Sequence, residues 1–78
     1  MRMSRLKDLR KQKKITQIKI QLMTGIDQSD YSKMEREERN PTFEQCKRLA
    51  IVLNTSMDYL AGITDNPAPY ERNNSISY

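Results

Sequence analysis

A short polar segment, residues 28–33, carries the side chains best suited to specific recognition. Gln28, Ser29, Ser32 and Lys33 place four hydrogen-bonding groups within six residues. An amide presents a donor and an acceptor together, a hydroxyl does both with one oxygen, and an ammonium only donates. Such groups on one helix match the donor and acceptor patterns along the edges of DNA bases. The segment therefore indicates contact with nucleic acid.

The positive charge of the chain lies in the same half. The 78 residues carry a net charge of +4; residues 1–36 hold ten basic and four acidic side chains, and residues 37–78 hold four and six. This asymmetry favours a polyanionic partner for the first half. At this point the alternative, that Lys and Arg only solvate helix surfaces, stays open.

The composition argues against an enzyme. The chain has no histidine, so it lacks the usual general base near neutral pH. Its one cysteine, Cys46, falls on an apolar stripe and is expected in the core, and no Cys/His cluster could bind a metal. With only Gly25 and Gly62 there is no glycine-rich phosphate loop. We expect no cofactor, no metal and no small-molecule ligand.

Length and hydropathy predict one domain away from membranes. Seventy-eight residues suffice for a single modest core. No apolar run approaches the roughly 18 residues that span a bilayer. A lone thiol suits a reducing compartment, so we expect a cytoplasmic protein.

Five helices are expected to position the polar segment. Residues 17–23 are ambiguous, because Ile18, Ile20 and Leu22 alternate with polar residues as in a strand. We predict a helix there, because no second strand is available to form a sheet. Gly25 should end this helix in the left-handed conformation, and Asp27 should begin the next. The clearest stripe of apolar residues belongs to the fourth helix: Phe43, Cys46, Leu49, Ala50 and Leu53.

The composition changes after Thr64. We predict a domain over residues 1–64 and a polar, mobile C-terminal tail over residues 65–78, which is rich in Asn and Pro. A second interpretation is that residues 67–70 fold back on the domain or onto a partner chain.

Short motifs occur in a fixed order between Leu6 and Leu60. They are LR at 9–10, TQ at 16–17, GI at 25–26, QS at 28–29, SKME at 32–35, RNPT at 39–42, LA at 49–50 and SMD at 56–58. In this order and spacing the chain resembles the helix-turn-helix family of phage Cro and CI repressors and XRE regulators. The resemblance implies an all-α, five-helix, lambda-repressor-like DNA-binding domain with the helix-turn-helix at helices 2 and 3.

The resemblance also implies roles for individual residues. Base contacts in the major groove would come from Gln28, Ser29, Ser32 and Lys33. Contacts to phosphates would come from Thr16, Gln17, Arg36, Arg39, Asn40 and Thr42. Arg10 and Glu35 match a structural ion pair between helices 1 and 3.

Several positions depart from the family pattern. Gln21 stands where a small residue is usual and Thr24 where leucine is usual, so Ile18 and Leu22 are expected to be buried instead and helix 2 to be rotated. Lys14 and Glu37 replace glycines that often follow helices. Two further departures lie on helix 3. Asp30 would either repel phosphate or accept from cytosine. Tyr31 is expected in the core with its hydroxyl at the surface, and the alternative is that it contacts a base.

The function implied is a sequence-specific, double-stranded DNA-binding transcriptional regulator, of the bacterial or prophage repressor type. A homodimer is expected, with an apolar face at Ile51, Val52 and Tyr59; the alternative is that these residues pack under the C-terminal tail. The rival function is an antitoxin-type protein-binding module that uses DNA binding for autoregulation. An RNA binder is a weaker rival, because the motif offers few aromatic platforms for stacking.

Overall fold

Five helices make up the architecture of this protein between residues 4 and 70. The computed structural model describes residues 4–70, with only the backbone of residue 4, so residues 71–78 of the predicted tail lie outside the described part. The helices are α1 (Ser4–Gln12), α2 (Gln17–Thr24), α3 (Gln28–Glu35), α4 (Phe43–Val52) and α5 (Met57–Leu60). No strand occurs within residues 4–70, so the all-α class is confirmed and the ambiguous segment is helical. Between residues 4 and 70, no helix combines the length and the apolar character needed to cross a membrane.

Side-chain caps explain where four of the helices begin. Thr16 accepts a hydrogen bond from the Lys19 amide at 3.1 Å, and Asp27 accepts one from the Ser29 amide at 3.1 Å. These caps satisfy backbone donors that a helix start leaves free. Thr42 caps α4 in the same way and forms a full capping box with Gln45. Ser56 caps α5.

Left-handed residues end the helices. Gly25 has φ 76° and Gly62 has φ 80°, a conformation that glycine adopts without penalty. Three other residues adopt positive φ: Lys14 at 57°, Glu37 at 61° and Asn54 at 53°. Lys14 and Glu37 thus adopt the left-handed conformation that glycine usually provides at such positions. Because each carries a side chain, this conformation lowers the stability of the fold by about 1 kcal/mol per residue.

The core is a single apolar cluster to which every helix contributes. Its fully enclosed members include Leu6, Ile20, Tyr31, Met34, Leu49, Leu53 and Leu60. Cys46 is buried as expected, and burial raises the pKa of its thiol. Phe43, in contrast, was expected on the inner stripe of α4 but is 66% exposed. Phe43 is the first residue of α4, and at this end of the helix the apolar stripe lies beyond the edge of the core.

Helix α2 does not rotate as predicted. Ile18 and Leu22 are 56% and 74% exposed, whereas Ile20 is enclosed and Thr24 is buried. Thr24 replaces the usual leucine without leaving its hydroxyl unpaired. The hydroxyl donates to the Ile20 carbonyl at 2.7 Å and accepts from the Ile26 amide at 3.1 Å. Because the buried polar group is satisfied, α2 keeps its ordinary face toward the core.

The chain between residues 64 and 70 lies against α1 and α5. The Arg5 guanidinium donates to the carbonyls of Tyr59 and Thr64 at 2.7 and 2.6 Å and pairs with Asp65 at 2.9 Å. Thr55 donates to the Pro67 carbonyl at 2.6 Å. These contacts agree with the second interpretation of the tail, while its division from the domain at residue 64 stays a prediction.

Candidate nucleic-acid interface

A buried ion pair joins the first helix to the third. The Arg10 Nε and Nη2 atoms donate to the two carboxylate oxygens of Glu35 at 2.6 and 3.1 Å. The Arg10 Nη1 atom also donates to the Ile15 carbonyl at 2.9 Å. The Glu35 side chain is 4% exposed and the Arg10 side chain 13%. A fork-shaped guanidinium on a carboxylate is a strong, directional pair, so it fixes α3 relative to α1.

Two glutamines extend this pair toward the surface. The Gln17 Nε2 atom donates to Glu35 Oε1 at 3.0 Å, and the Gln28 Nε2 atom donates to Gln17 Oε1 at 2.7 Å. We call Arg10, Gln17, Gln28 and Glu35 the glutamine network. Gln17 begins α2 and Gln28 begins α3, so the network joins the starts of the two helices on either side of the Gly25 turn.

Burial and hydrogen bonding act in opposite directions on the Glu35 carboxylate. Burial raises its pKa, whereas hydrogen bonding, chiefly from Arg10, lowers it. The balance leaves the pKa of Glu35 below its ordinary value. The carboxylate is therefore ionised at neutral pH and acts only as an acceptor.

Gln21 makes a second link between α2 and α3. Its Oε1 atom accepts a hydrogen bond from the Gln28 backbone amide at 2.7 Å. This amide is one of the first donors of α3, which have no partner within the helix. The residue expected to disturb the packing of the two helices therefore binds them together. Sequence reasoning missed this contact, because no local pattern pairs residues 21 and 28.

The other residues predicted to contact bases follow Gln28 along α3. Ser29 and Lys33 are exposed, and Ser32 is half-buried. The Ser32 hydroxyl accepts from Arg36 Nη1 at 2.6 Å. Gln28 is half-buried, because its amide lies on Gln17. The side chains of Ser29 and Lys33 are thus open to a ligand, while Gln28 and Ser32 already have protein partners.

The residues predicted to contact phosphates fall into two groups. Thr16 and Gln17 lie at the start of α2, and the remainder lie in the connector and at the start of α4: Arg36, Arg39, Asn40 and Thr42. Both connector arginines have acidic partners. Arg36 contacts Glu38, and Arg39 Nη1 lies 2.7 Å from Asp30 Oδ1. Both pairs are solvent-exposed, so each holds its arginine only weakly.

Asp30 and Tyr31 have surroundings different from those expected. Asp30, expected either to repel phosphate or to accept from cytosine, forms an ion pair with Arg39. Tyr31 lies in the core as expected, but its hydroxyl is buried rather than at the surface and has no hydrogen-bond partner among the described residues. Burial raises the pKa of Tyr31 far above its ordinary value, so the phenol stays neutral.

The predicted dimer face is only partly exposed. Ile51 is 53% exposed, but Val52 and Tyr59 pack against the core and are half-buried. The guanidinium of Arg5 also covers the Tyr59 ring, 4.2 Å from its centroid. Val52 and Tyr59 are therefore poorly placed to meet a partner.

An overlapping set of apolar residues lies around α4 and α5, and all of them except the half-buried Met57 are exposed. Phe43 and Ile63 are 66% and 76% exposed. A groove of about 640 Å³ runs from Phe43 past Ile51 and Met57 to Tyr70, and a second of about 320 Å³ lies between Phe43 and Ile63. We call the following five residues the apolar face: Phe43, Ile51, Met57, Ile63 and Tyr70. The residue that could have indicated this face from the sequence is Ile63, an apolar residue just beyond the last helix.

Comparison with known proteins identifies the family. The family model described as helix-turn-helix matches residues 6–60, the range over which the motifs were found. The chain belongs to the XRE-type helix-turn-helix family. An uncharacterized HTH-type transcriptional regulator, YobD of Bacillus subtilis (strain 168), is 38% identical to this helix-turn-helix protein over 71 residues. The match covers 90% of this chain but only 63% of that relative. Among solved structures, no significant match is found.

Proposed function

We propose that this helix-turn-helix protein is a sequence-specific, double-stranded DNA-binding transcriptional regulator. In this proposal α3 enters the major groove, where Gln28, Ser29, Ser32 and Lys33 meet base edges. The observation that carries it is the fixed position of Gln28. Its backbone amide is bound by Gln21 and its side-chain amide by Gln17, so a base-reading group is ordered before any ligand arrives. The name of the B. subtilis relative supports a role in transcription.

Contacts to the DNA backbone complete the proposed interface. Thr16 and Gln17 would meet one phosphate at the start of α2, where free backbone amides favour an anion. Arg36, Arg39, Asn40 and Thr42 would lie along the connector. Their exposed ion pairs can exchange an acidic partner for a phosphate, because such pairs are weak in water. These contacts would supply affinity that depends on salt rather than sequence choice.

The proposed active form is a homodimer. One α3 helix covers only a few base pairs, whereas two helices about 34 Å apart read successive faces of the major groove. The apolar face provides the surface for a second copy, because several large side chains there are exposed together. Phe43 directly follows Thr42, a proposed phosphate contact, so dimerisation would take place beside the DNA surface. A repressor that occupies an operator in the bacterial cytoplasm is the mode we propose.

A binding titration tests this function. The protein is titrated against the DNA flanking its own gene and against shuffled DNA of equal length, each at two salt concentrations. Tight binding to the native fragment alone, retained at the higher salt, is the expected result. Weak binding of equal strength to both fragments, lost at the higher salt, would contradict sequence-specific regulation and favour a protein partner for the apolar face.

A further inference from the structure

The hydrogen bonds of the glutamine network run in one direction. Gln28 donates to Gln17, Gln17 donates to Glu35, and Glu35 accepts from Arg10 as well. We propose that Glu35 is a positioning residue that sets, through Gln17, which way round the Gln28 amide faces the DNA. This inference rests on the proposed function, because it assigns a cause to the base preference of that same surface.

The direction follows from the chemistry of the carboxylate. An ionised carboxylate has no hydrogen to donate, so the Gln17 amide can only turn its NH₂ group toward Glu35. The Gln17 oxygen then faces Gln28 at 2.7 Å, and only the NH₂ group of Gln28 can meet it. A flipped Gln28 amide would place two oxygens against each other at that distance. One buried charge thus sets the orientation of two neutral amides.

The Gln28 side-chain amide, with its orientation fixed, presents a defined pattern of donor and acceptor to a ligand. Gln28 keeps a free oxygen as acceptor and one N–H as donor, side by side. Adenine offers a donor at N6 and an acceptor at N7, whereas guanine offers two acceptors at O6 and N7. A Gln28 amide whose orientation is fixed therefore favours adenine at the base pair it meets. A freely flipping amide would discriminate less well, because it could match other edges.

Gln21 supplies a matched control. It also binds Gln28, but through the backbone amide, and it has no hydrogen bond to Glu35 or Gln17. A Gln21→Ala variant should loosen α3 without altering the direction of the side-chain amides. It should weaken binding to all bases alike, whereas loss of Glu35 or Gln17 should change the choice of base.

The experiment selects preferred sites from random DNA with the wild-type protein and then compares four probes that differ at the base pair meeting Gln28. Gln28→Ala identifies that base pair. The wild type should prefer adenine, and Glu35→Gln should reduce this preference about tenfold, because a neutral amide at position 35 permits either orientation. Gln17→Leu should also reduce the preference for adenine while the Arg10–Glu35 pair stays intact. This variant keeps the test valid if Glu35→Gln fails to fold. Gln21→Ala should keep the preference.

A second measurement uses the free protein. Hydrogen exchange of the Gln17 and Gln28 side-chain amides, followed by NMR, should be slow in the wild type and in Gln21→Ala and fast in Glu35→Gln. An unchanged base preference in both Glu35→Gln and Gln17→Leu, or a wild type without adenine preference there, would overturn the inference. If the wild type selects no sequence at all, the proposed function fails, and amide exchange alone decides whether Glu35 orders the glutamines.

Discussion

Two surfaces of this small domain use opposite chemistry. Around the starts of α2 and α3, polar side chains bind one another in the glutamine network, and the buried Glu35 carboxylate accepts three hydrogen bonds, two from Arg10 and one from Gln17. On α4 and α5 the apolar face exposes large side chains such as Phe43 and Ile63, and its grooves are lined mainly by hydrocarbon. The hydrogen bonds of the glutamine network are directional, whereas the apolar face offers only exposed apolar surface area.

The difference indicates which task suits each surface. Hydrogen bonds to base edges depend on angle and on the identity of donor and acceptor, so a reading surface gains from internal order. Burial of apolar area is not directional, so a surface for a second copy needs only shape and exposure. Substitutions in the two regions should therefore separate stability, base choice and association from one another.

The largest effect is expected from Glu35→Ala. It should lower the free energy of unfolding by about 3 kcal/mol, because the buried Arg10 charge would lose its partner. Urea denaturation measures this loss. Phe43→Ala, on the apolar face, serves as control and should change the stability by less than about 0.5 kcal/mol. If Glu35→Ala destabilises by less than about 1 kcal/mol, the pair behaves like an ordinary surface ion pair.

A smaller effect is expected from Gln28→Ala. It should weaken binding to the selected site by about 1–3 kcal/mol and relax the choice at one base pair, since the proposed two-fold contact to a base edge would be lost. Binding to shuffled DNA should stay unchanged. Equal losses on both kinds of DNA in a fluorescence titration would show that Gln28 contributes only general affinity.

On the apolar face, Phe43→Ala should weaken self-association by about 1–2 kcal/mol, as expected for a large aromatic residue in an interface. Sedimentation equilibrium measures the change. Leu22→Ala is the matched control, because Leu22 is a similarly exposed hydrophobic residue on α2. An equal loss of association in both variants would show that copies associate through general hydrophobicity rather than through this face.

The smallest effect concerns a turn outside both surfaces. Lys14 has φ 57°, and Lys14→Gly should raise the free energy of unfolding by up to about 1 kcal/mol, because glycine adopts this conformation without strain. Thermal unfolding measures the gain, and base choice and self-association should stay as in the wild type. A loss of stability would show that the greater freedom of glycine in the unfolded chain outweighs the relief of strain.

Much of the fold was predictable because it depends on local rules. Helix starts at Thr16, Asp27 and Thr42 follow from capping, which involves residues two or three apart. The left-handed turns at Gly25 and Asn54 follow from the few residues that tolerate positive φ. Family motifs supplied the order of the helices and the pairing of Arg10 with Glu35.

What could not be predicted depends on contacts between distant residues. The exposure of Ile18 and Leu22 depends on the face that α2 turns toward α3 and α4, which helical spacing alone does not fix. The Gln21 contact to α3 and the burial of the Tyr31 hydroxyl likewise require the packed helices. For the candidate site, the residue types were readable from the sequence, but their protein partners were not.

The order of the two glutamines also has an entropic consequence. A glutamine that becomes fixed only when it meets its ligand loses up to about 2 kcal/mol of rotamer freedom at that moment. Gln17 and Gln28 already hold hydrogen bonds at 3.0 and 2.7 Å in the free protein. Much of their freedom is therefore lost during folding and not during association. The part of the proposed contact surface that Gln17 and Gln28 form is thus ordered before the ligand arrives.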